Sequence, residues 1–92
     1  MNASPRRANV IGLGLVGGSI GLALRERGWH VSGDDADAGR LAEAIARGVI
    51  DTSGIDPSGE ITFVAVPVLS IADQVKRALA ETTGVVTDVG SV

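Results

Sequence analysis

Hydrophobic positions along the chain alternate between short continuous runs and stretches with helical spacing. The continuous runs are 8–11, 29–33, 61–66 and 85–89, with a weaker one at 49–50. Continuous apolar, β-branched runs of this length predict strands that are buried on both faces, as strands of parallel sheets usually are. Between these runs, apolar residues recur three and four positions apart at 15–27, 41–46 and 71–79, which predicts three helices.

Helix boundaries and strand order follow from the residues between these elements. Gly28 and Gly48 directly follow the first two predicted helices, a common position for a helix to end. The third helix is predicted to begin at a capping box formed by Ser70 and Asp73. The alternation of strands and helices, joined by right-handed crossovers, predicts a parallel sheet with helices on both faces. We therefore predict one Rossmann-type, doubly wound α/β domain over residues 1–92, with strand order 3-2-1-4-5 and a weak third strand.

The composition restricts the chemistry that this domain can carry. Its 92 residues, 45% hydrophobic and 21% charged, fit one globular domain. With no cysteine and one histidine, disulfides, thiolate metal sites and histidine zinc sites are not expected. A net charge of −3 and 2% aromatic residues argue against nucleic-acid binding. The apolar stretch 8–24 is glycine-rich and too short to span a membrane, so we expect a cytoplasmic chain without membrane association.

The most informative motif is a glycine-rich turn between the first predicted strand and the first predicted helix. Gly12, Gly14 and Gly17 form a G-x-G-x-x-G pattern. In a dinucleotide-binding site, the first glycine permits a tight turn, the second leaves room for the pyrophosphate, and the third lets the helix pack on the strand. The backbone amides of Leu15 and Val16, at the helix start, are then expected to point at the phosphates.

An acidic residue at the end of the second predicted strand completes this pattern. Asp35 lies 18 residues after Gly17, where a carboxylate can accept hydrogen bonds from both adenosine ribose hydroxyls and repel a 2′-phosphate. Because no Arg or Lys occurs between Gly28 and Gly39, NAD is favoured over NADP. The alternative interpretation is structural: the glycines relieve crowding in the turn, and the aspartates cap the second helix, for which Asp37 is well placed.

Two further loops follow predicted strands at the edge of the sheet where ligands bind in this architecture. Val66, Pro67 and Val68 follow the fourth strand, and Ser91 follows the fifth. Both loops would border the nicotinamide half of the cofactor. Ser91 can contact a substrate or cap a following helix, and the sequence leaves both roles open. His30 begins a strand at the opposite edge, so no catalytic or metal-binding residue is predicted.

Five segments of the chain carry a resemblance to a known family. They are Val10 to Gly21 with its doubled glycine followed by Ser, Gly33-Asp34-Asp35, Ala46 to Asp51, Ala65 to Val68, and Thr87 to Val92. The last, T-D-V-G-S-V, is the most specific. Together they resemble the amino-terminal part of the prephenate and arogenate dehydrogenases of tyrosine biosynthesis, from residue 8 onward.

This resemblance implies an oxidoreductase that transfers a hydride from prephenate or arogenate to NAD. Loss of carbon dioxide accompanies the transfer, and prephenate yields 4-hydroxyphenylpyruvate. The resemblance carries over the glycine turn, Asp35 and the Val66-Pro67-Val68 turn as cofactor contacts, and Ser91 as a substrate contact. In the family a catalytic histidine follows the G-S-V motif, and a helical carboxyl-terminal domain completes the substrate pocket and the homodimer. We therefore expect these 92 residues to be a truncated, catalytically inactive cofactor-binding fragment.

Two other functions remain open at this point. Another 3-hydroxyacid-type dehydrogenase, such as the 3-hydroxyisobutyrate and 6-phosphogluconate group, has a similar first domain. Those enzymes usually have Met in the glycine loop and lack a D-x-G-S ending. A stand-alone NAD-sensing module is the second alternative. The choice between prephenate and arogenate is not readable from the sequence.

Overall fold

The structure, a computed structural model, describes residues 4–89 and contains one parallel five-stranded sheet. Its elements are β1 (Arg7–Ile11), α1 (Leu15–Glu26), β2 (His30–Asp34), α2 (Ala38–Ala46), β3 (Thr52–Ser53), β4 (Ile61–Val64), α3 (Val68–Glu81) and β5 (Val85–Asp88). The strands are ordered β3-β2-β1-β4-β5, and all neighbouring pairs are parallel. The predicted Rossmann-type order 3-2-1-4-5 is confirmed. Within the described range, no helix is long and apolar enough to cross a membrane.

Helices cover the two faces of the sheet, as predicted for a doubly wound fold. Successive side chains of β1 point to opposite faces. Val10 packs with Val31 and Ile50 in a core that α1 and α2 cover. Ile11 packs with Val64 and with Ala78 of α3 in a second core on the other face. The central strand is therefore buried on both sides, which explains its continuous apolar run.

The strand register brings four strand ends to one edge of the sheet. Ile11, at the carboxyl end of β1, pairs with Asp34 of β2 and with Val64 of β4. Val64 in turn pairs with Asp88, the last residue of β5. Loops that are far apart in the sequence therefore begin side by side.

Several predicted boundaries are wrong: the fourth strand ends at Val64 and not at residue 66, and the second helix begins at Ala38 and not at residue 41. The third helix begins at Val68, immediately after Pro67, and not at a capping box on Ser70. Proline suits a helix start because its ring fixes φ and it has no amide to satisfy, and here the Ser70 amide already donates to the Pro67 carbonyl at 2.8 Å. The weak third strand is Thr52–Ser53 and not residues 49–50; Ile50 precedes the strand and packs in the core.

A buried polar network holds the loop before β4 against the centre of the sheet. The amide group of Asn9, which is fully buried, donates to the Asp56 carbonyl at 2.9 Å and to Thr62 Oγ1 at 3.2 Å, and accepts from the Asp56 amide at 2.7 Å. Burial on its own raises the pKa of Asp56, but hydrogen bonds from Arg7 and from the Ser58 amide outweigh it and lower the pKa overall. The network thereby fixes β4 beside β1.

Candidate functional site

A cleft of about 520 Å³ opens at the carboxyl edge of the sheet. The β1–α1 turn, the β2–α2 connection, the β4–α3 turn and one face of α3 bound it. Small-molecule sites typically have volumes of about 300–1,000 Å³. Ligands of open α/β sheets bind outside the carboxyl ends of the strands, where the strand order reverses. The cleft between β1 and its two neighbours has both this position and this size.

Two glycines of the G-x-G-x-x-G motif are required by the packing of the protein, with or without a ligand. Gly12 has a φ of +93°, and a Cβ there would collide with the carbonyl oxygen of Ala65. A Cβ on Gly17 would collide with the carbonyl oxygen of Gly12 and press on Val10 at 3.2 Å. A side chain at Gly12 would therefore push the glycine turn away from the β4–α3 turn, and one at Gly17 would push α1 away from β1. Both the tight turn and the close helix–strand packing expected of the motif are present.

Gly14 has no such structural reason to be glycine. Its φ of −74° is accessible to other residues, and a Cβ there would have no neighbour within 4 Å. Gly14 lines this cleft and also a second pocket, which residues of α1 and α2 border. The backbone at this position is left accessible to a ligand.

The start of α1 has backbone donors next to Gly14, which lines the cleft. Gly14 is the N-cap and has no side chain to cap the helix, and the first turn contains no acidic residue. The first amides of a helix lack intrahelical acceptors and carry the positive end of the helix dipole. Leu15 and Val16, predicted to contribute through their amides, are the first two helical residues, and their side chains are exposed and lie outside the cleft lining.

The aspartates at the end of β2 have different roles. Asp37 caps α2, since its Oδ1 accepts from the amides of Gly39 and Arg40 at 2.9 and 3.1 Å. Asp35, whose side chain is only 7% exposed, instead accepts from the Leu13 amide at 2.7 Å and from the Asp37 amide at 2.8 Å. A carboxylate has about four acceptor positions, so two remain for ligand hydroxyls. The capping interpretation therefore holds for Asp37 and not for Asp35, which lines the cleft and anchors the glycine turn.

Two arginines that sequence reasoning missed also line the cleft. Nη1 of Arg40 lies 3.9 Å from Oδ2 of Asp35. Nη2 of Arg77, on α3, lies 2.8 Å from Oδ2 of Asp34. Arg40 directly follows Gly39, the end of the segment without Arg or Lys that favours NAD.

The position of Arg77 has a signal in the sequence. Ser70, Gln74 and Arg77 are spaced i, i+4, i+7, so they form one stripe along α3, and all three line the cleft. Because α3 follows β4 directly, a polar stripe on it can face the carboxyl edge of the sheet.

The remaining predicted site residues divide into three groups. Val66 and Pro67 line the cleft, whereas Val68 begins α3 with an exposed side chain outside the lining. Ser91, the predicted substrate contact, lies outside the described residues. His30 begins β2 at the opposite edge of the sheet, as expected. Among residues 4–89 there is no group of three His, Asp or Glu side chains arranged to hold a metal ion.

These groups favour one class of ligand. Uncapped helix amides bind anions, and a fixed carboxylate binds hydroxyl groups. A glycine that the fold does not require leaves room for a ligand to approach the backbone closely. An anionic, hydroxyl-bearing molecule such as a nucleotide satisfies all three.

Comparison with known families supports the same conclusion. The family model described as "Prephenate dehydrogenase, nucleotide-binding domain" matches residues 20–92. The glycine turn at 12–17 precedes the matched range, so the case for that turn rests on its geometry. Comparison with curated proteins finds no match. The match confirms the resemblance seen in the sequence and argues against the 3-hydroxyisobutyrate and 6-phosphogluconate group.

Solved structures of two enzymes share the fold. Arogenate dehydrogenase from Synechocystis has a TM-score of 0.83 and 29% identity, over 90% of this chain and 32% of its own. Prephenate dehydrogenase from A. aeolicus, solved with hydroxyphenyl propionate and NAD+, has a TM-score of 0.83 and 24% identity, over 100% and 36%. Another structure of the A. aeolicus enzyme has a TM-score of 0.79 and 24% identity, over 90% and 34%. The chain spans about a third of the length of these enzymes. With the family match over most of its sequence, the chain belongs to the family of prephenate dehydrogenase nucleotide-binding domains.

Proposed function

We propose that the cleft binds NAD as the cofactor site of a prephenate or arogenate dehydrogenase. The observation that carries this proposal is the open space at Gly14, where neither backbone conformation nor packing requires a glycine. A pyrophosphate that approaches the backbone gives a reason for the missing Cβ. The similar A. aeolicus enzyme was solved with NAD+, which supports the same cofactor here.

In this proposal each end of the cleft holds a different part of the dinucleotide. The amides at the start of α1, including those of Leu15 and Val16, hold the pyrophosphate. Asp35 accepts hydrogen bonds from the adenosine ribose hydroxyls. Val66, Pro67 and Val68 border the nicotinamide half, since they follow β4 on the other side of the glycine turn.

The same geometry favours NAD over NADP. The Leu13 and Asp37 amides fix the Asp35 carboxylate at the cleft, so a 2′-phosphate on the ribose would meet a negative charge. Nη1 of Arg40 lies 3.9 Å from that carboxylate, beyond hydrogen-bond distance. Removal of the carboxylate would leave Arg40 available to a 2′-phosphate.

Asp35→Ala is therefore expected to weaken NAD binding by about tenfold to a hundredfold, since a pair of hydrogen bonds to a charged group is lost. Discrimination against NADP should fall at the same time. Calorimetric titration with both dinucleotides measures the two effects. Asp73→Ala, on the exposed side of α3, removes the same charge away from the cleft and is the control. A folded Asp35→Ala protein with the NAD affinity of the original chain would leave Asp35 only as an anchor of the glycine turn.

For the whole protein we propose the reaction implied by the family. A hydride passes from the ring carbon that bears the substrate hydroxyl to NAD, carbon dioxide leaves, and the ring becomes aromatic. This reaction serves tyrosine biosynthesis in the cytoplasm. Ser91 contacts the substrate, and a helical carboxyl-terminal domain outside these 92 residues completes the pocket and the homodimer. Because the chain spans about a third of the solved enzymes it matches, these properties belong to the longer protein.

The 92-residue chain is expected to bind NAD without forming NADH from prephenate or arogenate. Its one histidine, His30, lies at the edge of the sheet opposite the cleft. General acid–base assistance alone contributes about 10²–10⁴ in rate, and most groups that position the substrate are proposed to lie elsewhere. NADH absorbance, followed with each substrate after NAD binding has been demonstrated, measures this. If the 92-residue chain did form NADH from either substrate, this prediction would be wrong, and the catalytic groups would lie within the 92 residues.

A further inference from the structure

The guanidinium group of Arg77 is held rigidly in the wall of the cleft. Nη2 lies 2.8 Å from Oδ2 of Asp34, Nε donates to Oε2 of Glu81 at 3.1 Å, and Nη1 donates to Oε1 of Gln74 at 3.3 Å. Each of the three nitrogens has a partner, so three of the five N–H donors of the planar group are used. The hydrogen bond to Asp34 also raises the pKa of Arg77. With its plane fixed by these partners, the side chain can offer the face of that plane to a ligand.

Arg77 lies next to the carboxylate proposed to bind the ribose. Its partner Asp34 is the last residue of β2, and Asp35 follows it directly. Asp35, Gln74 and Arg77 all line the same cleft. The adenine base is bonded to the ribose that Asp35 is proposed to hold, and the pyrophosphate leaves that ribose toward α1. The base therefore lies on the side of the ribose away from α1, where the α3 wall is within its reach.

No aromatic side chain lines the cleft among the described residues. Bases stack on planar side chains in protein complexes. These are either aromatic rings or the guanidinium group of arginine. Arg40, the other arginine in the lining, has a side chain that is 56% exposed, and its carboxylate neighbour is 3.9 Å away, beyond hydrogen-bond distance. Arg77 is thus the better fixed of the two planar groups.

We propose that Arg77 is the platform on which the adenine base of the dinucleotide stacks, with Asp34, Gln74 and Glu81 holding its plane in position. The proposal rests on the proposed NAD site and adds the recognition of the base to it. Ribose and phosphate contacts come from β2 and α1, whereas the base contact comes from α3. The two contributions can therefore be separated by mutation.

The test compares Arg77→Met and Arg77→Lys with the control Lys76→Met. Lys76 is the adjacent residue on the same helix, its side chain is exposed, and its replacement removes the same charge. The ligands are NAD, ADP and nicotinamide mononucleotide, which lacks the adenosine half of NAD. Binding is measured by calorimetry. Circular dichroism first shows that each variant is folded. Arg77→Met is expected to weaken NAD and ADP by about tenfold and to leave nicotinamide mononucleotide unchanged. Lys76→Met should leave all three affinities unchanged.

Arg77→Lys separates stacking from charge, because lysine keeps the positive charge and loses the plane. Under the proposal it weakens NAD and ADP as strongly as Arg77→Met does. Full affinity in Arg77→Lys would overturn the platform and leave only electrostatic attraction. If either Arg77 variant fails to fold, Asp34→Ala keeps the arginine and removes one anchor of its plane, and a partial loss of NAD and ADP affinity is then expected, whereas unchanged affinity would overturn the platform.

Failure of this proposal and failure of the NAD site give different results. If the unmodified chain binds NAD and the Arg77 variants bind it equally well, the NAD site stands and the platform is overturned. If the unmodified chain binds neither NAD nor ADP, both proposals are overturned.

Discussion

Gly14→Val is expected to abolish NAD binding and to leave the domain folded. The backbone at Gly14, with φ −74° and ψ −157°, is extended, and a Cβ there has no neighbour within 4 Å. The fold can therefore accept a side chain at this position, whereas the proposed pyrophosphate cannot. If a valine side chain keeps the phosphates away from two helix amides, the loss is about a hundredfold or more, since a hydrogen bond to a charged group contributes about 1.5–3 kcal/mol.

Calorimetric titration with NAD measures the affinity, and thermal unfolding shows whether the variant is native. Gly14→Ala, with a smaller side chain, should give an intermediate affinity. Gly18→Ala is the matched control, because a Cβ there meets only the Leu13 carbonyl oxygen at 3.9 Å, an ordinary contact. If Gly14→Val is folded and binds NAD with unchanged affinity, the phosphates do not approach this part of the backbone.

Features set by local chemistry were predicted correctly from the sequence. The strand order follows from alternating buried strands and helices, and the structure confirms it. Gly28 and Gly48 end helices with φ of +86° and +72°, a conformation that glycine adopts without strain. Asp37 caps α2 as predicted, because the cap needs only the amides two and three residues further along the chain.

Contacts between elements account for what the sequence did not predict. The pairing of Arg77 with Asp34 depends on α3 crossing to the end of β2, and nothing near either residue indicates its partner. Likewise, the role of Asp35 as an anchor for the Leu13 amide requires the position of the glycine turn relative to β2. Leu79, predicted on the buried face of α3, is 61% exposed, because Val75 and Ala78 fill the space between α3 and the sheet.

The second large effect concerns two adjacent glycines of α1 whose replacement by alanine is expected to change stability in opposite directions. Gly17→Ala should strongly destabilise the domain, since its Cβ would collide with the Gly12 carbonyl oxygen and press on Val10. Relief requires α1 to move off the central strand, where Val10 is fully buried. The expected cost exceeds about 4 kcal/mol, a large part of the roughly 5–15 kcal/mol that stabilises a typical domain.

Gly18→Ala adds the same methyl group one position later, where only an ordinary contact is made. Alanine is favoured over glycine inside a helix by about 1 kcal/mol, so this variant should be more stable than the original chain. Denaturant unfolding of the two variants measures both changes, and helix propensity cancels in the comparison because both replace glycine by alanine within α1. The difference between them therefore reports how closely α1 packs on β1. Equal stability of the two variants would mean that the helix can withdraw from the strand at little cost, and the close packing attributed to the third glycine of the motif would be wrong.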